Sequence, residues 1–308
     1  MPWHLTHDIT AFVTAADDYL RGDPVRNTVA LSVLAGLLES GLRAYGDAPP
    51  LFGWHESAAG QADGAVLRTP PHPMLVAGFP AGSAADLLRQ LADTQQAGAQ
   101  QAGGQLADPR LADPQLADPQ RAVTLPDAAN MTEEHTEEFS AAWASVTGGR
   151  AAIHHRMRMF RLAALQPPRP APAGAGRAPA EDDFGLLVRW TDAFGAETAV
   201  GSGDAAREVR EHLSYGGITL WDDQGPAAMA VLSRSVAGVC RVGTVYTPPE
   251  RRQRGYGGAV TAAVSQRALD AGAAEVVLYT DLANPTSNAL YRRLGYRPVG
   301  DRIALDLR

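Results

Sequence analysis

The chain has 308 residues, and at roughly 100 to 200 residues per domain this length favours two compact domains. Apolar residues make up 45% and charged residues 20%, and no uninterrupted apolar run approaches the ~20 residues that cross a bilayer, so we expect a globular, soluble protein without a membrane partner. The formal net charge of -7 argues against a broad phosphate-binding surface, so we do not expect a nucleic-acid partner.

The N-terminal segment and the single cysteine bear on location and redox chemistry. MPWHLTHDIT lacks the basic segment and apolar stretch of a secretory signal, so we expect a cytoplasmic location. Cys240 has no second cysteine to pair with and lies in an apolar run, which predicts a buried, inert side chain. All 27 basic residues are arginine, and this bias, with abundant Ala, Gly and Pro, is typical of high-GC bacterial genes.

Two segments of biased composition organise the chain. Residues 166–180 are rich in Pro, Gly and Ala and can bury little surface, so we expect an exposed linker between domains at 1–165 and 181–308. A second segment, near 94–122, contains three Leu-Ala-Asp-Pro copies at a five-residue period. That period is far shorter than a solenoid repeat, and we interpret the segment as a mobile insertion.

The N-terminal half begins with helical patterns and continues with strands. Asp23-Pro24 predicts the start of an amphipathic helix that reaches Leu38, after a possible short helix near the N-terminus. The elements that follow are predicted strands at 51–54, 65–67 and 74–79, helices at 84–91 and 132–146, and closing strands within 151–162.

The C-terminal half repeats this order of elements. Its predicted helices lie at 182–194, 204–213, 257–271 and 285–294, and its strands at 218–221, 227–233, 239–247 and 276–280. Two closing strands are predicted around a turn at Gly300-Asp301. The common order predicts two similar α+β domains in tandem.

A strand stopped by two prolines leads into a basic, glycine-rich turn and then directly into a helix. Gly255, Gly257 and Gly258 remove side chains, so that backbone N–H groups can converge in front of the positive end of the helix dipole. Three arginines within 251–254 supply charge for a diphosphate. The pattern indicates an anion-binding site, and the alternative is an exposed turn with solvated arginines.

This run resembles the GNAT family of acetyl-CoA-dependent N-acyltransferases. The family signature is Arg or Gln, any two residues, Gly, any residue, then Gly or Ala, and Arg252, Gly255 and Gly257 fit it. A second family signature is matched by Asn284 and, seven residues later, Tyr291. The resemblance covers roughly residues 183–307.

The resemblance implies a fold class and one active site. The expected fold is α+β, with a mixed, mostly antiparallel sheet flanked by helices, in two tandem GNAT-like domains. In the N-terminal copy the matching junction, residues 79–84, has neither the arginine nor the spaced glycines. We therefore expect that copy to have lost its coenzyme site.

The family resemblance also implies which residues hold the coenzyme. Loop amides bind the pyrophosphate of acetyl-CoA, and the preceding strand pairs with the pantetheine arm. The implied coenzyme-binding residues are Val245, Tyr246, Thr247, Arg252, Gln253, Arg254, Gly255, Tyr256, Gly257, Gly258, Asn284 and Tyr291.

Four residues are candidates for catalysis. Tyr291 is the expected proton donor to the departing thiolate, and the alternative is that it packs on the inner face of its helix. The backbone N–H of Val245 is the candidate oxyanion donor. The general base is left open between Glu197 and Asp281, each acting directly or through water. Asn284 can also serve as a helix cap.

The expected function is N-acetyl transfer from acetyl-CoA to an amine of a small molecule or peptide, by direct attack in a ternary complex. A CoA-binding regulatory module without chemistry, and an enzyme for longer acyl groups, are the alternatives. We expect no metal, because His154 and His155 would point to opposite faces of a strand. The sequence leaves the acceptor and the oligomeric state open.

Overall fold

A computed structural model describes residues 2–104, 124–198 and 204–308. The chain forms two compact units, here called unit 1 (Met1–Arg156 with Asp301–Arg308) and unit 2 (Met157–Gly300). The Leu-Ala-Asp-Pro copies lie outside the described residues. The domain boundaries expected at 165 and 181 remain a proposal.

Unit 1 combines helices with a mostly antiparallel sheet. Its helices are α1 (Ile9–Gly22), α2 (Thr28–Ser40), α3 (Ala84–Gly104) and α4 (Glu133–Thr147). Its strands are β1 (Trp3–Thr6), β2 (Leu51–Glu56), β3 (Ala62–Arg68), β4 (Met74–Gly78), β5 (Ala128–Thr132), the start of β6 (Ala151–Leu162) and the end of β12 (Tyr296–Leu307). The order β1-β2-β3-β4-β5-β12 is antiparallel except between β4 and β5.

Unit 2 repeats this arrangement. Its helices are α5 (Phe184–Thr198), α6 (Ala205–Ser214), α7 (Tyr256–Asp270) and α8 (Pro285–Arg293). Its own strands are β7 (Ala175–Arg177), β8 (Ile218–Asp222), β9 (Pro226–Leu232), β10 (Val239–Tyr246) and β11 (Glu275–Asp281). The order β6-β11-β10-β9-β8-β7 is antiparallel except between β10 and β11.

Side-chain caps set several helix boundaries. Asp8 begins α1, because its Oδ1 accepts hydrogen bonds from the N–H groups of Thr10 and Ala11 at 2.8 and 3.3 Å. The prediction that a helix starts after Asp23-Pro24 was wrong by one turn. The Oδ1 of Asp23 accepts from the N–H of Arg26 at 3.0 Å in a separate turn, and α2 begins only at Thr28.

The predicted turn at Gly300-Asp301 was also wrong, since β12 is one continuous strand. Its last residues pair with β5, in register from Arg302 opposite Thr132 to Asp306 opposite Ala128. Strands β6 and β12 each have 12 residues. The boundary between the two units falls within each of them, after Arg156 in β6 and after Gly300 in β12. A local turn signal could not reveal that the end of β12 pairs with β5, because the two strands lie far apart in the sequence.

Each unit has its own hydrophobic core. In unit 1 one cluster of buried residues contains Trp3, Leu87 and Phe139. In unit 2 one cluster contains Val260, Leu278 and Tyr296. Cys240 lies in that cluster, 5% exposed, and burial raises the pKa of its thiol, so the prediction that this cysteine is buried is confirmed. No described helix is both long and apolar enough to span a membrane.

Residues 166–180, here called the proline segment, are attached to unit 2. The N–H of Gln166 donates to the carbonyl of Leu294 at 3.0 Å, and the indole N–H of Trp221 donates to the carbonyl of Ala173 at 2.8 Å. The short strand β7 then pairs with β8. The segment is therefore part of the surface of unit 2.

Candidate functional site

Strand β10 separates from its neighbours just before the glycine-rich loop. Its parallel pairing with β11 ends at Val242, and its register with β9 shifts between Gly243 and Tyr246. Thr244 and Val245 thus lack a Cα partner in either neighbouring described strand. A Cβ added at Gly243 would meet no atom within 4 Å, so there is open space beside the strand at this point.

The bulge in β10 contains a strained residue. Thr244 has a φ of 45°, which a β-branched residue rarely adopts, at a cost of about 1–3 kcal/mol. Such strain persists only where the surrounding structure holds it, and it is concentrated at functional sites. The next residue, Val245, is half-buried against the core of unit 2.

The loop after β10 has the backbone of an anion site. Gln253 and Gly255 have φ of 63° and 83°, and α7 begins at Tyr256 directly after Gly255. No described side chain caps this helix, so its first N–H groups are left for a ligand. Residues 252–255 are exposed. Amides without a side-chain partner and the positive end of the helix dipole favour an anion here.

Arg252, the first residue of the loop signature, is already engaged. Its Nη2 donates to both carboxylate oxygens of Glu197, at 2.7 and 2.8 Å, and its Nε donates to the carbonyl of Thr247 at 2.9 Å. The side chains of Arg252 and Glu197 are 43% and 47% exposed. The structure therefore brings a predicted coenzyme ligand together with a candidate base.

Tyr256 contributes differently from the rest of the loop. Its side chain is 4% exposed, and its hydroxyl forms a short hydrogen bond with the Oδ2 of Asp223, in the turn between β8 and β9. Only its backbone N–H is therefore available to a ligand. Asp223 has no sequence signal as the partner of Tyr256, because 33 residues separate the two.

The proline segment borders two of the loop glycines. A Cβ at Gly255 would lie 3.8 Å from Pro172, which is an ordinary contact, so glycine is required there by the positive φ. A Cβ at Gly258 would lie 3.0 Å from Leu290 Cδ1 and 3.6 Å from Pro168. Gly258 is thus needed for close packing of α7 against α8.

Tyr291 lies inside the core of unit 2, only 7% exposed. Its ring packs against Phe160 and Tyr296, with centroids 6.2 and 6.1 Å away. Burial raises the pKa of Tyr291 to about 12. The phenol therefore stays protonated at every physiological pH, as a hydrogen-bond donor requires, and it also packs on the inner face of its helix.

Asn284 and Asp281, two of the predicted site residues, form hydrogen bonds at the N-terminus of α8. The Oδ1 of Asn284 caps the helix by accepting from the N–H of Ser287 at 3.0 Å. The Oδ1 of Asp281 accepts from the N–H of Ala283 at 2.7 Å. Asn288 is 5% exposed and donates to the carbonyl oxygens of Asp281 and Asn284 at 2.8 and 2.7 Å. Asn288 was missed, because one asparagine within a helix carries no distinguishing pattern.

In unit 1 a carboxylate occupies the place that corresponds to the loop. The Oε1 of Glu138 accepts hydrogen bonds from the N–H groups of Gly82 and Ala84, at 2.9 and 3.2 Å, where α3 begins. The backbone amides that would bind a phosphate are thus bound to the protein's own anion. This supports the expected loss of the coenzyme site in the N-terminal copy.

The described residues contain no group of three or more His, Cys, Asp or Glu side chains that could hold a metal ion. His154, one of the paired histidines, has its Nδ1 3.5 Å from the Oδ2 of Asp306.

Part of the sequence matches a model of a known protein family. Residues 217–303, which include the loop and α8, match the family model described as FR47-like protein. No curated protein matches the chain.

Several solved structures share the whole fold. A Drosophila protein is 14% identical, with a TM-score of 0.62 over 98% of this chain and 97% of its own. A GCN5-related N-acetyltransferase from Sphaerobacter thermophilus is 16% identical, with a TM-score of 0.58 over 98% and 94%. One from Kribbella flavida is 20% identical, with a TM-score of 0.51 over 91% and 98%. The chain has the α+β fold of the GNAT acetyltransferases, and its expected resemblance in fold to that family is confirmed.

Proposed function

We propose that this protein transfers an acetyl group from acetyl-CoA to a primary amine of a small molecule or peptide, and that unit 2 is the catalytic unit. The observation that carries the proposal is the bulged end of β10, which opens beside β11 and leads into the uncapped N-terminus of α7. A strand edge and an anion site in succession suit a ligand with an amide-containing arm and a diphosphate.

The residues of unit 2 fit this coenzyme. The amides from Gln253 to Gly258 and the charges of Arg252 and Arg254 suit the diphosphate. The backbone edge from Val245 to Thr247 suits the pantetheine amides, because these residues lie beyond the last residue of β10 that pairs with β11, Val242. The thioester supplies an activated acyl group, so the protein needs chiefly to position the amine and stabilise developing charge.

Two groups of unit 2 are proposed to stabilise the negative charge that develops during acyl transfer. The N–H of Val245, held by the bulge, donates to the carbonyl oxygen as negative charge develops there. The phenol of Tyr291 donates to the departing sulfur. With a pKa of about 12 the phenol is a weaker acid than a thiol of roughly 8.5, so it stabilises the thiolate by a hydrogen bond more than by full proton transfer.

The base that takes the amine proton remains a choice between two carboxylates. Glu197 is bound through both oxygens to Arg252, which favours a positioning role for it. Asp281, half-buried at the end of β11, is held at one carboxylate oxygen by the N–H of Ala283 at 2.7 Å. We propose Asp281 as the better candidate, acting directly or through water.

An assay of thiol release from acetyl-CoA in the presence of an amine panel tests the proposal. We expect amine-dependent release, and we expect Arg254→Gln to weaken coenzyme binding while Arg189→Gln, an exposed arginine outside the loop, has no effect. Coenzyme binding without release from any amine would contradict the enzymatic proposal.

The burial of Tyr291 favours the second candidate, a CoA-binding regulatory module without chemistry. The same assay distinguishes the two, since a module binds the coenzyme with no amine-dependent thiol release. Comparing acetyl-CoA with a longer acyl-CoA then shows whether the open space beside Gly243 admits a longer chain.

A further inference from the structure

The side chain of Tyr256 connects the start of α7 to the turn between β8 and β9. Tyr256 is the first residue of α7, its side chain is 4% exposed, and its hydroxyl forms a short hydrogen bond with the Oδ2 of Asp223. Its backbone N–H belongs to the row of amides proposed to bind the diphosphate of the coenzyme. The same residue thus has its side chain anchored in unit 2 and its amide at the proposed site.

The glycine-rich loop depends on few side chains for its position. Arg252 holds the beginning of the loop, because its Nε donates to the carbonyl of Thr247 at 2.9 Å. At the other end Gly255 has no side chain, and it precedes α7 without a side-chain cap. Tyr256 is therefore the first residue after Gly255 whose side chain can fix the end of the loop. A loop fixed before the ligand binds loses less conformational entropy on binding.

Asp223 lies in a turn that is itself held by hydrogen bonds. The N–H of Asp223 donates to the carbonyl of Gly225 at 3.0 Å, and the N–H of Gly225 donates to the Oδ1 of Asp222 at 2.9 Å. The Oδ2 of Asp222 in turn accepts from the Nε of Arg177 at 2.8 Å. Asp223 is half-buried, so water competes less for its carboxylate than at a fully exposed position. The turn therefore gives Tyr256 a fixed partner.

We propose that Asp223 is a positioning residue for coenzyme binding: it holds Tyr256, and through Tyr256 the first amides of α7, in the arrangement that receives the diphosphate. The inference rests on the proposed function, because it concerns the same coenzyme site. A hydrogen bond from a hydroxyl to a carboxylate is roughly twice as strong as one between neutral groups, so this contact is suited to hold a helix end.

The charge of Asp223 separates this role from a purely electrostatic one. A carboxylate near a diphosphate repels it, so removal of the charge alone should tighten coenzyme binding. Loss of the hydrogen bond should weaken binding, because the amides are then no longer held in place. The length of the tyrosine side chain separates the carboxylate from the amide, and salt screens the repulsion over such a distance. We therefore expect the loss of positioning to be the larger effect.

Calorimetric titration of the full chain with CoA tests the proposal. We expect Asp223→Ala and Tyr256→Phe each to raise the dissociation constant about fivefold. The double variant should raise it no further than the single variants do, because all of these changes remove the same hydrogen bond. Asp223→Asn keeps an acceptor oxygen for the phenol and removes the charge, so its dissociation constant should stay within about twofold of that of the parent protein.

Tyr296→Phe is the matched control. The hydroxyl of Tyr296 also forms a hydrogen bond with α7, at the Oγ of Ser265 and 2.6 Å away, but this contact is more than two turns beyond the loop. We expect a lower melting temperature and an unchanged affinity for CoA. If Asp223→Ala failed to fold, Tyr256→Phe would test the same hydrogen bond from its other side.

The outcomes separate this inference from the proposed function. A parent protein that did not bind CoA would contradict both. If the parent bound CoA and Tyr256→Phe and Asp223→Ala kept its affinity, the hydrogen bond would serve stability alone and the positioning role would be wrong. Equally tighter binding by Asp223→Ala and Asp223→Asn would also overturn the proposal, because charge alone would explain it. A loss of affinity in Tyr296→Phe as large as in Tyr256→Phe would do the same.

Discussion

The guanidinium of Arg252 holds the carboxylate of Glu197 through two hydrogen bonds of 2.7 and 2.8 Å, although 55 residues separate the two along the chain. One residue begins the loop signature, and the other was a candidate base. A coenzyme diphosphate would therefore approach an arginine whose charge is already partly neutralised. Both side chains are more than two-fifths exposed, so solvent screens the pair.

We predict that Glu197→Gln tightens coenzyme binding about two- to threefold, because it removes a negative charge near the diphosphate while an amide oxygen still accepts from Arg252. Arg252→Gln should weaken binding about five- to tenfold. Calorimetric titration with CoA measures both changes.

The control for this pair is Glu181→Gln, an exposed carboxylate outside the loop, which should leave affinity unchanged. The kcat of the Glu197→Gln variant, measured in parallel, should stay within about twofold of the kcat of the parent protein. A loss of kcat of a hundredfold or more, together with loss of the acidic limb of the pH profile, would instead identify Glu197 as the base.

Tyr291→Phe should lower kcat about a hundredfold and leave the coenzyme dissociation constant unchanged, because the hydroxyl acts on the departing sulfur. The pKa of about 12 means that the donor is lost only as pH rises through that value. The rate should therefore show no basic limb from this phenol in the usual assay range. Stopped-flow kinetics under single-turnover conditions provide the measurement.

Tyr296→Phe is the matched control. Its hydroxyl lies 2.6 Å from the Oγ of Ser265 in the same core, so its removal should cost about 1 kcal/mol of unfolding free energy. The rate of acyl transfer should change little. If both variants lost stability equally and neither lost turnover, the donor role of Tyr291 would be wrong and its packing role would suffice.

Thr244→Asn should raise the free energy of unfolding by about 1 kcal/mol, since asparagine tolerates the positive φ that strains a β-branched residue. Turnover should be retained, because the bulge and the Val245 amide keep their places. Thermal unfolding measures the change. Thr247→Asn, at a position in the same segment without positive φ, should bring no gain.

The loop and its helix could be predicted because their signals are local. Glycines, arginines and a helix start lie within a few residues, and the alternative interpretation of Tyr291, that it packs on the inner face of α8, used the same local spacing. The fold class followed from the order of elements, which the two halves share. These patterns depend on neighbouring residues alone.

The remaining features depend on residues that are far apart in sequence. Neither Glu197 with Arg252 nor Asp223 with Tyr256 has a fixed spacing that a motif could show. The pairing of β12 with β5 depends on which strands meet, and the sequence of one strand carries little information on its partner. Thr244 has no sequence signal either, because threonine favours ordinary extended backbone.

Gly255 and Gly258 should respond differently to substitution. Gly255→Ala places a side chain at φ 83° and should weaken coenzyme binding about fivefold, whereas Gly255→Asn should recover much of the affinity. Gly258→Ala should lower the melting temperature, since its Cβ would press on Leu290, with affinity within about twofold. Equal losses of affinity for the two alanine variants would mean that the positive φ does not matter.

A charge network connects the proline segment to the rest of unit 2. The Nη1 of Arg177 donates to Asp183 Oδ2 at 2.6 Å, and its Nε donates to Asp222 Oδ2 at 2.8 Å. Hydrogen bonding to Arg177 is the main cause that lowers the pKa of both carboxyl groups. Folded-state pKa values below the unfolded ones mean that stability is gained above about pH 4 and lost as pH falls through the folded values.

Arg177→Gln should therefore lower the free energy of unfolding by about 1 kcal/mol at pH 7, a modest value because the guanidinium side chain is 35% exposed and solvent screens it. The difference from the parent protein should stay constant down to about pH 5 and disappear as both carboxyl groups take up protons at lower pH. Urea unfolding at a series of pH values measures it, with Arg189→Gln as the exposed control. A difference that persisted unchanged in acid would show that Arg177 stabilises the segment by packing its side chain and that the ion pairs contribute nothing measurable.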